Sequence, residues 1–289
     1  MLEIARSCDA AGWYGVWFAD HFMPNDPAGA TPLDGPVLEC WSVMAALAAS
    51  TTRARIGSLV SGNRYRHPAV VAKAAATIDH ISNGRFVLGL GAGWQLNEHR
   101  AYGIDLLSTT ARLDHFEDAC AIVTSMLREP RTTLHRDTYW ITDAPCDPKP
   151  IQPRLPLLVG GKGERRTMRI AARYADEWNA WTTAGEFRQK CAVLDRHCEE
   201  IGRDPATIAR STQALVYLST DESWLARFRD RAPGRPTVVG TPAEVIDQLG
   251  AYRDAGVDEF IVPDWTMGRG TRALDTLELF WTEVAPALA

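Results

Sequence analysis

The sequence has no apolar run near the ~18 residues that a membrane-crossing helix requires, so no helical span is expected. Cysteine is sparse and scattered, at positions 8, 40, 120, 146, 191 and 198. No two form C-x-x-C, and none clusters with histidine at zinc spacing, which argues against a disulfide framework and against a metal site. Free thiols in a reducing cytoplasm are the expectation. G-x-S-x-G, the P-loop and H-E-x-x-H are all missing, which removes the signatures of α/β hydrolases, P-loop nucleotidases and zinc proteases. Neither sign of charge dominates. The 31 basic and 36 acidic residues are well mixed, net -5, without the basic stripe of a nucleic-acid binder. The opening "MLEIARSCDAAG" lacks the basic-then-apolar order of a signal peptide.

What is present is a rhythm. Apolar β-rich runs alternate with helical patterns: strand "YGVWFAD" (14–20), helix 36–50 with Pro36 in its first turn, strand 54–61, helix 68–82, strand "RFVLGLGAG" (85–93), helix 111–129. Residues 130–155 hold five prolines and no period, and read as an excursion loop with a short hairpin near Tyr139 to Ile141. The rhythm resumes with strand 155–161, helix 164–175, strand 176–181, helix 184–202, strand 210–219, helix 241–255, strand 258–264 and helix 271–285. Continuous apolar strands, each followed by a helix, imply a parallel sheet covered on both faces.

The fold class is therefore α/β. A (β/α)8 TIM barrel is favoured over a doubly wound sheet because "GLGAGW" puts Trp94 where a dinucleotide fingerprint needs glycine. The chain is read as one domain, 1–289. Residues 1–12 already form the first helix, so the first strand of the barrel is missing, and a true start upstream of Met1 is the favoured explanation.

Barrel chemistry gathers where strands end. That rule singles out Asp20 and His21, then Ser58 to Asn63, Gly91 to Trp94, and Gly160-Gly161-Lys162-Gly163. An imidazole can give or take a proton near neutrality, so His21 is the acid–base candidate; the plainer reading is a structural pair fixing loop 22–35. His67 reads as a helix cap. The turn "VGGKGERR" (159–166) offers backbone N–H groups and a helix start to an anion, or simply needs glycine for positive φ. "GLGAG" strips a strand end of side chains, either for a flat ring or for close strand packing.

The segments "GVWFADHF", "ALAASTTRARIGSLVSGNRYRHPAVVAKAAATIDHISNGRFVLGLGAGWQLNEHRAYGI" and "LPLLVGGKGERRTMRIAARYADEWN" resemble the bacterial luciferase-like superfamily, and more closely its coenzyme F420-dependent branch of actinobacterial type. The resemblance implies a flavin or deazaflavin at the C-terminal ends of the barrel strands. It puts the branch's histidine on His21, with Asp20 beside it. It puts a bulge backing the central ring, often with a non-proline cis peptide, at Ser58-Leu59. Asn63, Gly91, Gly93 and Trp94 fall on the same rim, and Gly160 to Gly163 on the phosphate or polyglutamyl tail, with Arg64 and Arg66 assisting. Sugar-phosphate dehydrogenases of the branch carry a glutamate where this chain has Trp94 and a tryptophan where it has Asn25, so that activity is not expected. Glu39 and Glu98 are the remaining acids able to approach, ranked below His21.

The resulting expectation is an F420-dependent oxidoreductase passing a hydride to or from a small organic substrate. The alternatives are an FMN-dependent monooxygenase using reduced flavin, oxygen and a reductase partner, and a non-catalytic flavin-binding barrel. A homodimer through helices 36–50 and 68–82 is expected. Substrate identity and the direction of hydride transfer carry no code in the sequence.

Overall fold

Strands and helices alternate along most of the described chain, and several of the helices begin at a side-chain cap. The computed structural model describes residues 1–25, 34–229, 234–268 and 270–288. Two compact units emerge, residues 1–160 with 173–176, and residues 161–172 with 177–289.

The first unit opens with α1 (Leu2–Ala11), closed by Gly12 at φ 97°. There follow β1 (Gly15–Phe18), α2 (Cys40–Ser50), β2 (Arg55–Ser58), β3 (Ser61–Gly62), α3 (Pro68–Ser82), β4 (Phe86–Gly91), α4 (Leu96–Ala101) and α5 (Thr109–Arg128). An antiparallel hairpin, β5 (Thr132–His135) and β6 (Trp140–Ala144), sits inside the proline-rich excursion, and β7 (Leu157–Gly160) closes the unit. The sheet order is β1-β2-β4-β7, all parallel, with β3 also on β4. The register pairs Phe18 with Ser58, Ile56 with Phe86, and Leu90 with Val159. All six residues of β4 are buried, as a strand covered on both faces requires.

Helix α2 starts later than Pro36 suggests. The Glu39 carboxylate accepts the N–H groups of Trp41 and Ser42, so the first turn forms at Cys40. His67 caps α3 by accepting the Ala69 N–H at 3.2 Å, with Pro68 in the first turn and Asn83 left-handed at the end. Asp9 of α1 is buried and accepts from the N–H groups of Thr52, Arg53 and Ala54 at 2.7–2.8 Å, and from the Thr52 hydroxyl at 3.0 Å. Burial opposes its charge, but these donors outweigh the penalty and hold its pKa at about 2.

The second unit holds α6 (Thr167–Tyr174), β8 (Glu177–Trp181), α7 (Ala184–Glu200), β9 (Ala209–Gln213), β10 (Leu215–Leu218), α8 (Glu222–Arg229), β11 (Thr237–Gly240), α9 (Pro242–Asp254), β12 (Glu259–Ile261) and α10 (Thr271–Leu279), which runs into a π-helical turn at Phe280–Val284. Strands β8, β9 and β12 are parallel neighbours, while β10 pairs only with β11. The expected single strand 210–219 is thus two, broken at Ala214, because the chain changes sheet partner there. Helix α8 and strand β11 lie between the expected strand 210–219 and helix 241–255, where the sequence pattern predicts no element.

No strand precedes α1 among the described residues, and no described helix is long and apolar enough to cross a membrane. All six cysteines are buried thiols.

Candidate active site

The end of β1 delivers two side chains with different fates. Asp20 is 2% exposed and fully engaged: its Oδ2 accepts the Gly62 N–H at 3.1 Å and Arg66 Nη1 at 2.7 Å, and Oδ1 lies 3.3 Å from Arg66 Nη2. The same guanidinium also donates to Glu39, the cap of α2. Burial pushes the Asp20 carboxyl up, although Arg66 and the Gly62 N–H pull it down. Asp20 therefore ties the β1 end to the β3 segment, and Arg66 is spent on that tie rather than offered to an anionic tail. Arg64 donates instead to the Asp105 carbonyl at 3.2 Å.

His21 turns the other way. Its Nδ1 lies 2.7 Å from Glu98 Oε1. Glu98 is 0% exposed and also accepts the Phe22 N–H at 2.7 Å, the Met23 N–H at 3.3 Å and the Tyr65 hydroxyl. Burial works against the Glu98 charge, yet the donors from His21, Tyr65 and Phe22 outweigh it and hold its carboxyl below the ordinary range. Burial and the Glu98 contact push the Tyr65 hydroxyl up, so it stays a phenol donor. With an ionised acceptor at Nδ1, that nitrogen carries the proton. Nε2 has no partner among the described residues and is left to meet a ligand. Trp94, 49% exposed, stands edge-on to the imidazole with centroids 5.7 Å apart.

The sequence ranks Glu98 below His21 and does not single out Tyr65; the structure joins both to His21 through the Glu98 carboxylate. Glu98 lies in α4, whose six residues are too few to show a helical period. The one available signal is an acid three residues past a glycine-rich strand end's Gln95, on the rim where barrel chemistry collects.

The bulge expected at Ser58-Leu59 lies one residue on, where Leu59-Val60 is a cis peptide. Ser58 is fully buried, with its hydroxyl donating to the Gly89 carbonyl at 2.8 Å and accepting the Gly89 N–H at 3.1 Å. The glycines serve this bulge. A Cβ on Gly89 would come within 1.9 Å of the Ser58 carbonyl oxygen, and Cβ atoms on Gly91 and Gly160 would meet the Val60 methyls at 2.6 and 2.8 Å. The space above "GLG" is thus filled by Val60, which becomes the surface of the wall. Asn63 is buried and donates its N–H to the Gly91 carbonyl at 2.9 Å, and Gly93 turns with φ 85°.

The first unit therefore brings together Asp20, His21, Ser58, Leu59, Asn63, Gly91, Gly93, Trp94 and Gly160 around the ends of β1, β2, β4 and β7. Gly161, Lys162 and Gly163 belong to the second unit. There Gly161 has φ 125°, donates to the Asn179 carbonyl at 2.9 Å and accepts Trp178 Nε1–H at 2.8 Å. The Lys162 ammonium is paired with Glu186 at 2.9 Å, in solvent.

Residues 1–231 match the family pattern described as luciferase-like monooxygenase. The chain belongs to that family. Its relatives include an F420-dependent glucose-6-phosphate dehydrogenase of Kineococcus radiotolerans, 27% identical over 90% of this chain and 86% of the relative. An F420-dependent hydroxymycolic acid dehydrogenase of Mycobacterium tuberculosis is 27% identical over 93% and 72%. Among solved structures, an F420-dependent secondary alcohol dehydrogenase bound to an F420-acetone adduct matches with TM-score 0.83 at 20% identity, covering 100% of this chain and 94% of that one. The F420-dependent tetrahydromethanopterin reductase of Methanopyrus kandleri matches with TM-score 0.80 at 16% identity, covering 100% and 95%. These structural likenesses run the length of this luciferase-like chain and show its fold, the α/β barrel type expected from the sequence.

Proposed function

We propose that this luciferase-like chain is a coenzyme F420-dependent oxidoreductase that moves a hydride between the deazaflavin and a small alcohol, carbonyl or activated alkene or imine. The reading is carried by the His21–Glu98 dyad: a buried, charged carboxylate fixes one imidazole nitrogen as donor and leaves Nε2 without a partner among the described residues. The names of the relatives supply the cofactor.

The residues present suit a flat ring. Val60 forms an apolar surface seated on Gly89, Gly91 and Gly160, next to Leu59 across the cis peptide. Those residues would hold the ring. When bound, F420 supplies a carbon that accepts or gives a hydride without activating oxygen.

The protein's part is proton handling. For alcohol oxidation, His21 Nε2 accepts the hydroxyl proton as the hydride leaves. For reduction, the protonated ring returns it. The Glu98 charge stabilises the imidazolium formed on the way, as the acid of a triad does. Asp20 and Arg66 act as a brace, holding the β1 end at the height of the bulge. Pairing of two copies through α2 and α3 is part of the same proposal, supported by Val70 and Ile81 standing exposed on α3, and so is a cytoplasmic location, supported by six unpaired thiols.

The test is an ultraviolet–visible titration of the purified chain with F420 and with FMN. Binding of F420 in the micromolar range, lost or unproductive with FMN, is expected. Tight FMN binding with none to F420 overturns the cofactor assignment and favours a monooxygenase.

A further inference from the structure

A second cluster lies at the carboxyl ends of the strands in the second unit. Trp181 is the last residue of β8, and Trp265 lies in the 3-10 turn just past β12. Their rings are near-parallel, 18° apart in tilt, with centroids 5.8 Å apart. The guanidinium carbon of Arg235, in the segment leading to β11, is 4.8 Å from the Trp181 ring and 5.0 Å from that of Trp265. Trp265 is 55% exposed, so the platform opens to solvent.

What this cluster lacks is an acceptor. The Arg235 guanidinium makes no hydrogen bond or ion pair among the described residues (its backbone carbonyl accepts the Thr237 hydroxyl at 2.9 Å), and burial, with no carboxylate opposing it, pulls its pKa down. Neither indole N–H has a hydrogen-bond partner among the described residues. A guanidinium carries five donors in a rigid fork, and each indole one, with no acceptor among them. Several other cations of the unit are matched by a carboxylate, Lys162 with Glu186, Lys190 with Glu164, Arg210 with Asp195, Arg229 with Glu222 and Glu244, while Arg272 lies over a single ring, that of Trp224. A half-buried guanidinium held over aromatic faces without a counter-charge is a donor array awaiting an anion.

We infer that Trp181, Arg235 and Trp265 form a binding site for a small aromatic anion, a carboxylate or phosphate joined to a flat ring. The anionic head takes the guanidinium fork as a charge-assisted bidentate pair. The ring lies on the exposed Trp265 face, which accepts a π-surface by offset stacking. The three residues already face one another, so little side-chain ordering is required on binding. A neutral ring would gain only the stacking, and inorganic phosphate only the fork.

The site is tested by isothermal titration calorimetry of the full chain with phenyl phosphate and benzoate, with benzyl alcohol as neutral control. Both anions are expected to bind and benzyl alcohol to bind about 10-fold or more weakly, the order of a lost charge-assisted hydrogen bond. Arg235→Gln should weaken phenyl phosphate about 10-fold, and Trp265→Leu roughly 3-fold, in line with one aromatic contact. Independently of any variant, raising the salt toward about 1 M should weaken the wild-type interaction, since the pair is part-exposed. Equal binding of the neutral and anionic probes, equal binding by wild type and Arg235→Gln, insensitivity to salt, or no binding of either anion at millimolar concentration overturns the inference. So does a parallel loss of F420 affinity in Arg235→Gln, which would reassign the cluster to the cofactor. That last comparison alone depends on the F420 reading; the others hold whatever the cofactor is.

Discussion

At His21 one ring nitrogen is committed and the other is not, and the two halves of the dyad should fail differently. His21→Ala removes the proton port and is expected to lower kcat about 100- to 1,000-fold, the usual range for a lost general acid–base, with F420 affinity little changed. Steady-state kinetics with a parallel cofactor titration checks both halves of that statement. Glu98→Gln keeps the shape but removes the charge that fixes the Nδ1 proton and balances the imidazolium. Its kcat should fall about 10- to 100-fold, as for other carboxylates orienting a functional histidine, while KM holds. If Glu98 were only scaffolding, thermal stability would drop and the folded fraction would turn over at the wild-type rate. The residue scale is also where the sequence was least legible. His21 and Asp20 could be found because an apolar strand ends abruptly on them. Glu98 could not be separated from other acids, because its importance lies in what four donors from distant positions do to it. The oxygens of Asp20 are engaged by Arg66 and Gly62, and no local pattern announces a pairing 46 residues apart.

Elements hold one another through single residues, and two of these joints are testable. The Asp9 carboxylate ties α1 to the turn before β2. Its pKa falls from 3.8 to about 2 on folding, so the unfolded chain binds its proton first. The resulting stability is complete above about pH 4 and is lost as pH falls toward 2, about 2 kcal/mol in all. In urea denaturation between pH 3 and 7, wild type should exceed Asp9→Asn at neutral pH, and the gap should narrow on acidification. At the second joint, Gly89→Ala forces a Cβ to within 1.9 Å of the Ser58 carbonyl oxygen, which is backbone and cannot swing away. A cost above about 3 kcal/mol is expected, at or beyond the usual overpacking range, read as a fall in Tm or in soluble yield. Gly91→Ala should cost less, because its nearest atom is a Val60 methyl. Strand-and-helix alternation was legible along most of the chain, since period and caps are local. The break between β9 and β10 was not: "RSTQALVYLS" has no glycine or proline to mark an interruption at Ala214, and a change of sheet partner needs neither. Helix α8 and β11 were hidden for a related reason, being short and flanked by polar turns.

For the whole molecule, alternation and the lack of a dinucleotide fingerprint were enough to point to the barrel class, and the likeness to solved structures over the full chain agrees. What composition could not convey is how the thiols are kept. Burial pushes Cys8 up to about 11 and raises Cys40, Cys120, Cys146, Cys191 and Cys198 as well. A thiol reacts as thiolate, so native protein should take up almost no Ellman's reagent at pH 8, and full colour should develop only on denaturation. Four of these sulfurs lie in the unit that carries His21 and two in the unit that carries the tryptophan platform. The chain thus comes with a built-in clock on each half. Mass spectrometry of partially labelled protein would read which half opens first under stress, with no engineered probe.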